Sequence, residues 1–196
     1  MTRNASHFQR KEPFLEKPVS ALRYKKILPN IPKGSYVLDL GCGFDAKFLK
    51  TISPIIKKGV GIDAFVTKKG LEDNIKLISS SLDKKLPFDS NTFDAVTLLA
   101  VIEHLEQPVR LLQEVLRVLK PGGRLLITAP SRGAKPLLEF LAYKLKLLSS
   151  REVADHKHYF TEISLRGQLV KAGFLRNKIE VESFELGLNL FAKAIK

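Results

Sequence analysis

At 196 residues and a net charge of +13, the chain has the length of a single domain with room for a full core. Its one cysteine, Cys42, excludes an intramolecular disulfide framework. The polar start MTRNASHFQRKEPF has no apolar h-region, and the longest uncharged apolar run, AVTLLAVI (95–102), is far too short to cross a membrane, so the expectation is a cytoplasmic protein with neither a secretory signal nor a transmembrane segment.

In chain order, residues 1–19, with Pro13 and Pro18, read as a loosely ordered lead-in. SALRYKKIL (20–28) reads as a helix with Ser20 at its N-cap, and PNIPKG (29–34) as a loop. YVLDL (36–40) is a short apolar run stopped by glycine, the pattern of a buried strand. AKFLKTI (46–52) follows as a helix. GVGID (59–63), NIKLISS (74–80) and FDAVTLLA (93–100) read as three further strands. QPVRLLQEVLRVLK (107–120) is amphipathic, with Val109, Leu112, Val115, Leu116 and Leu119 at helical spacing, Pro108 in its first turn and Pro121-Gly122-Gly123 as its stop. RLLITAP (124–130) is a fifth strand and KPLLEFLAYKLKLL (135–148) a helix whose Leu137, Leu141, Leu145 and Leu148 share one face. TEISLRGQLVKAGF (161–174) opens on a Thr161–Ser164 capping box, and KIEVESFEL (178–186) and LNLFAKAIK (188–196) alternate as strands. Strands alternating with helices predict a largely parallel α/β sheet covered on both faces, with the tail pair adding an antiparallel edge.

The chemistry concentrates at VLDLGCGFDA (37–46). In an open α/β sheet a ligand sits at the carboxyl ends of the strands, where Gly41 and Gly43 end the first strand. Gly41, Gly43 and Ala46 alone fit a dinucleotide fingerprint, a weak match. Asp39, two residues before the first glycine, argues against a phosphate, whose charge it would repel in a half-buried site, and favours a cationic ligand. Asp63 ends the second strand, where a carboxylate can accept hydrogen bonds from ribose hydroxyls.

VLDLGCG, GVGID, LPFDSNTFDAVTLLAVIEHLEQP and LLQEVLRVLKPGGRLLITAPS arrive in order. Together they resemble the class I S-adenosylmethionine-dependent methyltransferases of the small-molecule type over residues 35–131, with a softer match through HYFTEISLRGQLVKAGF (158–174). The methyl donor carries an ammonium and a sulfonium and no phosphate, which suits Asp39. The resemblance implies a Rossmann-like, doubly wound seven-stranded sheet, mostly parallel with an antiparallel last strand. It implies a single methyltransferase domain over 35–196, with 1–34 as an N-terminal segment and cap helix and 131–160 as an acceptor-site insertion.

The resemblance also implies roles. The loop from Gly41 through Cys42 to Gly43 would pass under the methionine part of S-adenosyl-L-methionine. Asp39 would hold its amino group, Asp63 its ribose, and Ser81 and Leu82 would border its adenine. Leu99 and Ala100 would lie near the methionine part, and Ala64 and Glu103 complete the cofactor-binding set. The chain departs from the family pattern at Asp45, where a third glycine is common and where an acid would cap the next helix. It departs again at Ser81, where an acid often stands beside adenine.

Methyl transfer displaces a neutral thioether, so positioning supplies most of the rate and a base is needed only if the acceptor must lose a proton. The candidates around that step are His104, in the EHL element, and His156, His158 and Tyr159, the two histidines sharing one face of an extended segment. Metal ligation needs more ligands than that pair offers, and no metal is expected. The net charge is +6 over residues 1–34, +2 over 35–131 and +5 over 132–196, so the basic ends suit an anionic partner. The leading reading is transfer to a small-molecule or amphiphilic, lipid-like acceptor, with peripheral membrane contact through the 135–148 helix. RNA (tRNA) methyl transfer and a non-catalytic cofactor-binding protein are the alternatives.

Overall fold

The computed structural model describes residues 16–196 apart from Lys68, Lys146 and Leu148. The strands are β1 (Tyr36–Leu40), β2 (Lys58–Asp63), β3 (Ile75–Ser79), β4 (Phe93–Leu99), β5 (Leu119–Pro130), β6 (Ile179–Phe184) and β7 (Asn189–Ile195). They form one seven-stranded sheet in the order β3-β2-β1-β4-β5-β7-β6. The first five pair in parallel, and β7 runs antiparallel between β5 and the edge strand β6. The doubly wound sheet expected from the sequence is present.

Side chains alternate across a strand, so β1 feeds two cores. Leu38 and Leu40 join a cluster with Leu112 and Val115 of α3 (Pro108–Val118) and Leu165 and Leu169 of α6 (Glu162–Lys171). Val37 joins Ile27 of α1 (Glu16–Ile27) and Phe48, Leu49 and Ile52 of α2 (Lys47–Ile52) on the opposite face. Helices on both faces explain why β1 and β4 are nearly continuous apolar runs. Thr161 and Ser164 form the expected capping box: each hydroxyl accepts from the other residue's amide, at 3.1 and 2.8 Å.

Four expectations need correction. α1 begins at Glu16, so Ser20 lies inside the helix and does not cap it, while Pro18 occupies the first turn that tolerates it. α3 stops at Val118, because Leu119 is already extended and pairs with Phe93. The helix expected over 135–148 is interrupted. α4 (Lys135–Glu139) gives way to a π turn over Phe140–Lys144, and α5 (Ser150–Ala154) follows. Its expected apolar face is not buried: Leu137 and Leu145 are exposed, Leu141 is half-buried, and Leu148 lies outside the described residues, while Phe140 and Tyr143 are also about half exposed. Asp45 does not cap α2, whose N-cap is Ala46 in a left-handed conformation with no side-chain hydrogen bond. The lead-in before residue 16 lies outside the described residues. No helix among them is long and apolar enough to cross a membrane.

Candidate active site

The strand order reverses between β1 and β4, and the loop after β1 starts at that switch point. Gly41 and Gly43 both adopt left-handed backbone, at φ of 76° and 75°. They do so for different reasons. A Cβ on Gly41 would stand 2.4 Å from Val101 Cγ2, so Gly41 is glycine for packing. A Cβ on Gly43 would meet nothing within 4 Å, so Gly43 opens a space above the loop. The amides of Gly41 and Cys42 donate to the Ile62 carbonyl, at 2.7 and 3.2 Å, and fasten the loop to β2. Cys42 packs beneath, its sulfur 2.7 Å from where a Cβ of Gly61 would lie, and burial raises its thiol well above the ordinary range. It is a spacer, and an inert one.

Two carboxylates flank this loop. Asp39 is 2 % exposed and its Oδ1 accepts a 2.6 Å hydrogen bond from the Thr97 hydroxyl. Burial pushes its pKa up to about 7; the Thr97 hydrogen bond opposes that rise and the charge of Asp63 adds to it. Asp63 accepts from the Gly43 amide through Oδ2, at 3.0 Å, and from the Phe65 amide through Oδ1, at 3.4 Å. A carboxylate has about four acceptor sites, so two remain for hydroxyl donors. Next to it, Ala64 is exposed and its carbonyl accepts from the Ser79 hydroxyl at 2.6 Å.

Beyond β3 the Ser81 hydroxyl donates to Asp83 at 3.0 Å, while Leu82 packs on the core edge. Leu82 also lines a groove of about 280 Å³ with Asp83, Lys84, Leu105 and Arg110. At the end of β4, Leu99 is half-buried and Ala100 takes a left-handed turn at φ of 56°. That turn directs the chain to Glu103 and His104.

Glu103 is 1 % exposed. Its carbonyl accepts from the amides of Lys157 and His158, at 2.8 and 3.1 Å, which ties the EHL element to the later histidine segment. Burial raises the Glu103 carboxyl to about 7, against the opposing influence of backbone hydrogen bonding and of the Arg23 charge. The His104 and His156 rings meet edge to face with centroids 4.8 Å apart, and His156 Nδ1 lies 3.2 Å from the Tyr159 hydroxyl. His104 Nδ1 is 3.2 Å from the Asp155 carbonyl. Burial, then the His104 and Arg23 charges, lower the His156 pKa to about 4. The two late histidines keep different company: His158 packs on Phe160, with centroids 5.8 Å apart.

Three participants carried no sequence signal. Thr97 is a β4 residue whose hydroxyl happens to face Asp39. Tyr24 packs on Phe48 with centroids 5.1 Å apart, and burial followed by the Asp39 and Asp45 charges pushes its pKa up to about 12. Arg23 acts on both Glu103 and His156, and its Nε is buried without a hydrogen-bond partner. Both lie on α1, which reaches the site only through tertiary packing.

A doubly wound sheet with an antiparallel β7, a left-handed glycine loop at its switch point and acids ending β1 and β2 defines a Rossmann-like methyltransferase. The chain matches the family described as a methyltransferase domain over residues 11–175, and it belongs to that family. It is 30 % identical, over 79 % of its length and 70 % of the relative's, to a ubiquinone/menaquinone biosynthesis C-methyltransferase, UbiE, of Ectopseudomonas mendocina. The same fold occurs in S-adenosylmethionine-dependent methyltransferases of Archaeoglobus fulgidus and Mesorhizobium loti. The first has a TM-score of 0.69 and 18 % identity over 92 % of this chain and 95 % of that one. The second has 0.67 and 20 % over 88 % and 96 %. The chain is a methyltransferase and S-adenosyl-L-methionine is its cofactor. The open space above Gly43, between a buried and a strand-end carboxylate, suits a ligand with an ammonium and a ribose.

Proposed function

We propose that this enzyme methylates an aromatic or otherwise amphiphilic small molecule bearing an anionic or electron-rich oxygen group. The cofactor would be held by Asp39 at its ammonium, by Asp63 and Ala64 at its ribose, and by the Gly41–Cys42–Gly43 backbone beneath its methionine part. Leu99 and Ala100 would close the methionine side, and Ser81 and Leu82 the adenine side. Glu103 stands where the cofactor side meets the acceptor side.

When bound, S-adenosyl-L-methionine supplies an activated methyl group whose bond electrons leave with a neutral thioether. The protein's part is alignment of the acceptor and exclusion of water. His104, His156, His158 and Tyr159 form the acceptor wall; His156 is set against the Tyr159 hydroxyl, and its lowered pKa makes it a poor base, so the wall serves to position the acceptor.

The observation that carries the cofactor assignment is the pairing of buried Asp39 with the open, left-handed Gly43. The acceptor class rests on three supports. Arg23 brings a buried, unpartnered Nε donor whose charge acts on Glu103 and His156, and Phe140 and Tyr143 expose apolar surface in the segment that precedes the histidines. The UbiE relative is named for quinone biosynthesis. The test has two stages. S-adenosylhomocysteine at a hundred times its dissociation constant should stabilise the fold by about 2.7 kcal/mol, raising the unfolding midpoint by roughly 5–10 °C, with NAD as the inert control. Labelled methyl donor should then pass to hydroxylated aromatic amphiphiles and not to RNA; label recovered in RNA overturns the acceptor class.

A further inference from the structure

The sequence offered His156 and His158 as neighbours, but folding groups His156 with Glu103 and His104. One ligand-capable atom from each of these three lies within 4.8 Å of the other two. They come from two separate places in the chain: the turn after β4 supplies Glu103 and His104, and the segment after α5 supplies His156. Glu103 Oε2 is fully buried and has no hydrogen-bond partner, a costly state for a carboxylate oxygen unless something else meets it.

We propose that Glu103, His104 and His156 bind a divalent first-row transition metal ion. Two imidazoles and one carboxylate are the donors that Zn2+, Co2+ and Mn2+ accept, and three protein ligands leave a position open for another. Around such an ion the ligand atoms stand about 3.4 Å apart, so the three groups must close by about 1 Å to meet it. Outer contacts of the kind that orient metal-binding imidazoles are in place: the Tyr159 hydroxyl at His156 Nδ1, and the Asp155 carbonyl at His104 Nδ1. Asp155 adds a carboxylate 3.5 Å from His104, whereas Arg23 brings an opposing positive charge from α1. Ion binding stands independently of the methyltransferase assignment. Only its use rests on that reading: the open position would hold the acceptor by an oxygen atom.

The experiment titrates Co2+ into the full chain after dialysis against a chelator, followed by visible ligand-field absorption and calorimetry, with Zn2+ as competitor. One ion per chain is expected, displaced by Zn2+. Glu103→Gln and His156→Asn should each weaken it at least tenfold, His158→Ala should leave it in place, and Arg23→Gln should tighten it. Circular dichroism and a cooperative thermal unfolding transition of each variant verify the fold. The proposal is overturned if the wild-type chain takes up no ion at micromolar Co2+ or Zn2+, or if folded Glu103→Gln and His156→Asn variants bind as the wild type does, which would place the ion elsewhere. Homocysteine-product binding without metal binding removes the ion alone; loss of product binding in the wild type removes the cofactor assignment alone.

Discussion

The Gly43 amide donates a 3.0 Å hydrogen bond to Oδ2 of Asp63, so the loop after β1 and the acid that ends β2 act as one unit. On the proposed function Asp63 has two duties: it fastens the loop, and it would offer its remaining acceptor sites to the ribose. Replacing it removes both.

Asp63→Ala should therefore weaken S-adenosylhomocysteine binding by roughly ten- to hundredfold, the equivalent of about 1.5–3 kcal/mol for a hydrogen bond to a charged group. Asp63→Asn keeps the size of the side chain and one acceptor oxygen, and should lose less. Calorimetric titration of the two variants checks the order; equal affinity for Asp63→Ala and wild type would remove Asp63 from the site.

Gly41 and Gly43 share a backbone conformation but predict opposite phenotypes. Gly41→Ala drives a methyl group into Val101, as well as straining the left-handed backbone, and should lower the unfolding midpoint by several degrees. Gly43→Ala meets open space and carries only the left-handed strain, of about 1 kcal/mol. Its methyl group enters the volume assigned to the cofactor, so it should lose product affinity with a much smaller fall in midpoint. Unfolding scans with and without S-adenosylhomocysteine separate the two effects.

The difference between these glycines could not be read from GCG alone, although the loop itself could. The inner strands were legible because each is a short apolar run covered on both faces, and β1 and β4 sit where those runs fall, whereas β5 starts five residues before the expected 124, at Leu119. The π turn at Phe140–Lys144 was not legible: 135–148 has helical spacing, but half-exposed Phe140 and Tyr143 have no core to hold that spacing in a regular helix. Within the site, Asp39, Gly41, Gly43 and Asp63 stood out by their position at strand ends. Arg23, Tyr24 and Thr97 did not, since only the packing of α1 and the pairing of β4 with β1 bring them there. His156 was found for its spacing to His158, yet its ring packs on His104.

The exposed apolar side chains of the π turn give a third prediction. Phe140→Ser and Tyr143→Ser change surface positions and should leave the unfolding midpoint and cofactor affinity nearly unchanged, within about 0.5 kcal/mol. If this turn meets an amphiphilic acceptor, both should raise the KM for that acceptor several-fold and reduce co-sedimentation with anionic lipid vesicles, to which Lys135 and Lys144 contribute charge. Unchanged KM and unchanged vesicle association would show that the turn does not touch the acceptor.

Asp39 makes the enzyme's stability and its cofactor affinity respond to pH in opposite directions. Its folded-state pKa of about 7 lies above the ordinary 3.8, so the folded chain holds this proton more tightly than the unfolded chain does. The resulting stabilisation is fully present below the unfolded value and is lost as pH rises through about 7. Glu103, raised from 4.5 to about 7, acts in the same direction. The free enzyme should therefore melt at progressively lower temperature across this interval. An ammonium beside Asp39 favours the ionised carboxylate, so S-adenosylhomocysteine should bind more tightly as pH rises towards 7, releasing a proton that calorimetry in two buffers would count. Asp39→Asn should flatten the affinity profile as well as weaken binding. Thr97→Val removes a hydrogen bond that favours the ionised form and should move the profile to higher pH. A wild-type affinity that does not vary between about pH 5 and 8 would mean that Asp39 does not face the ammonium.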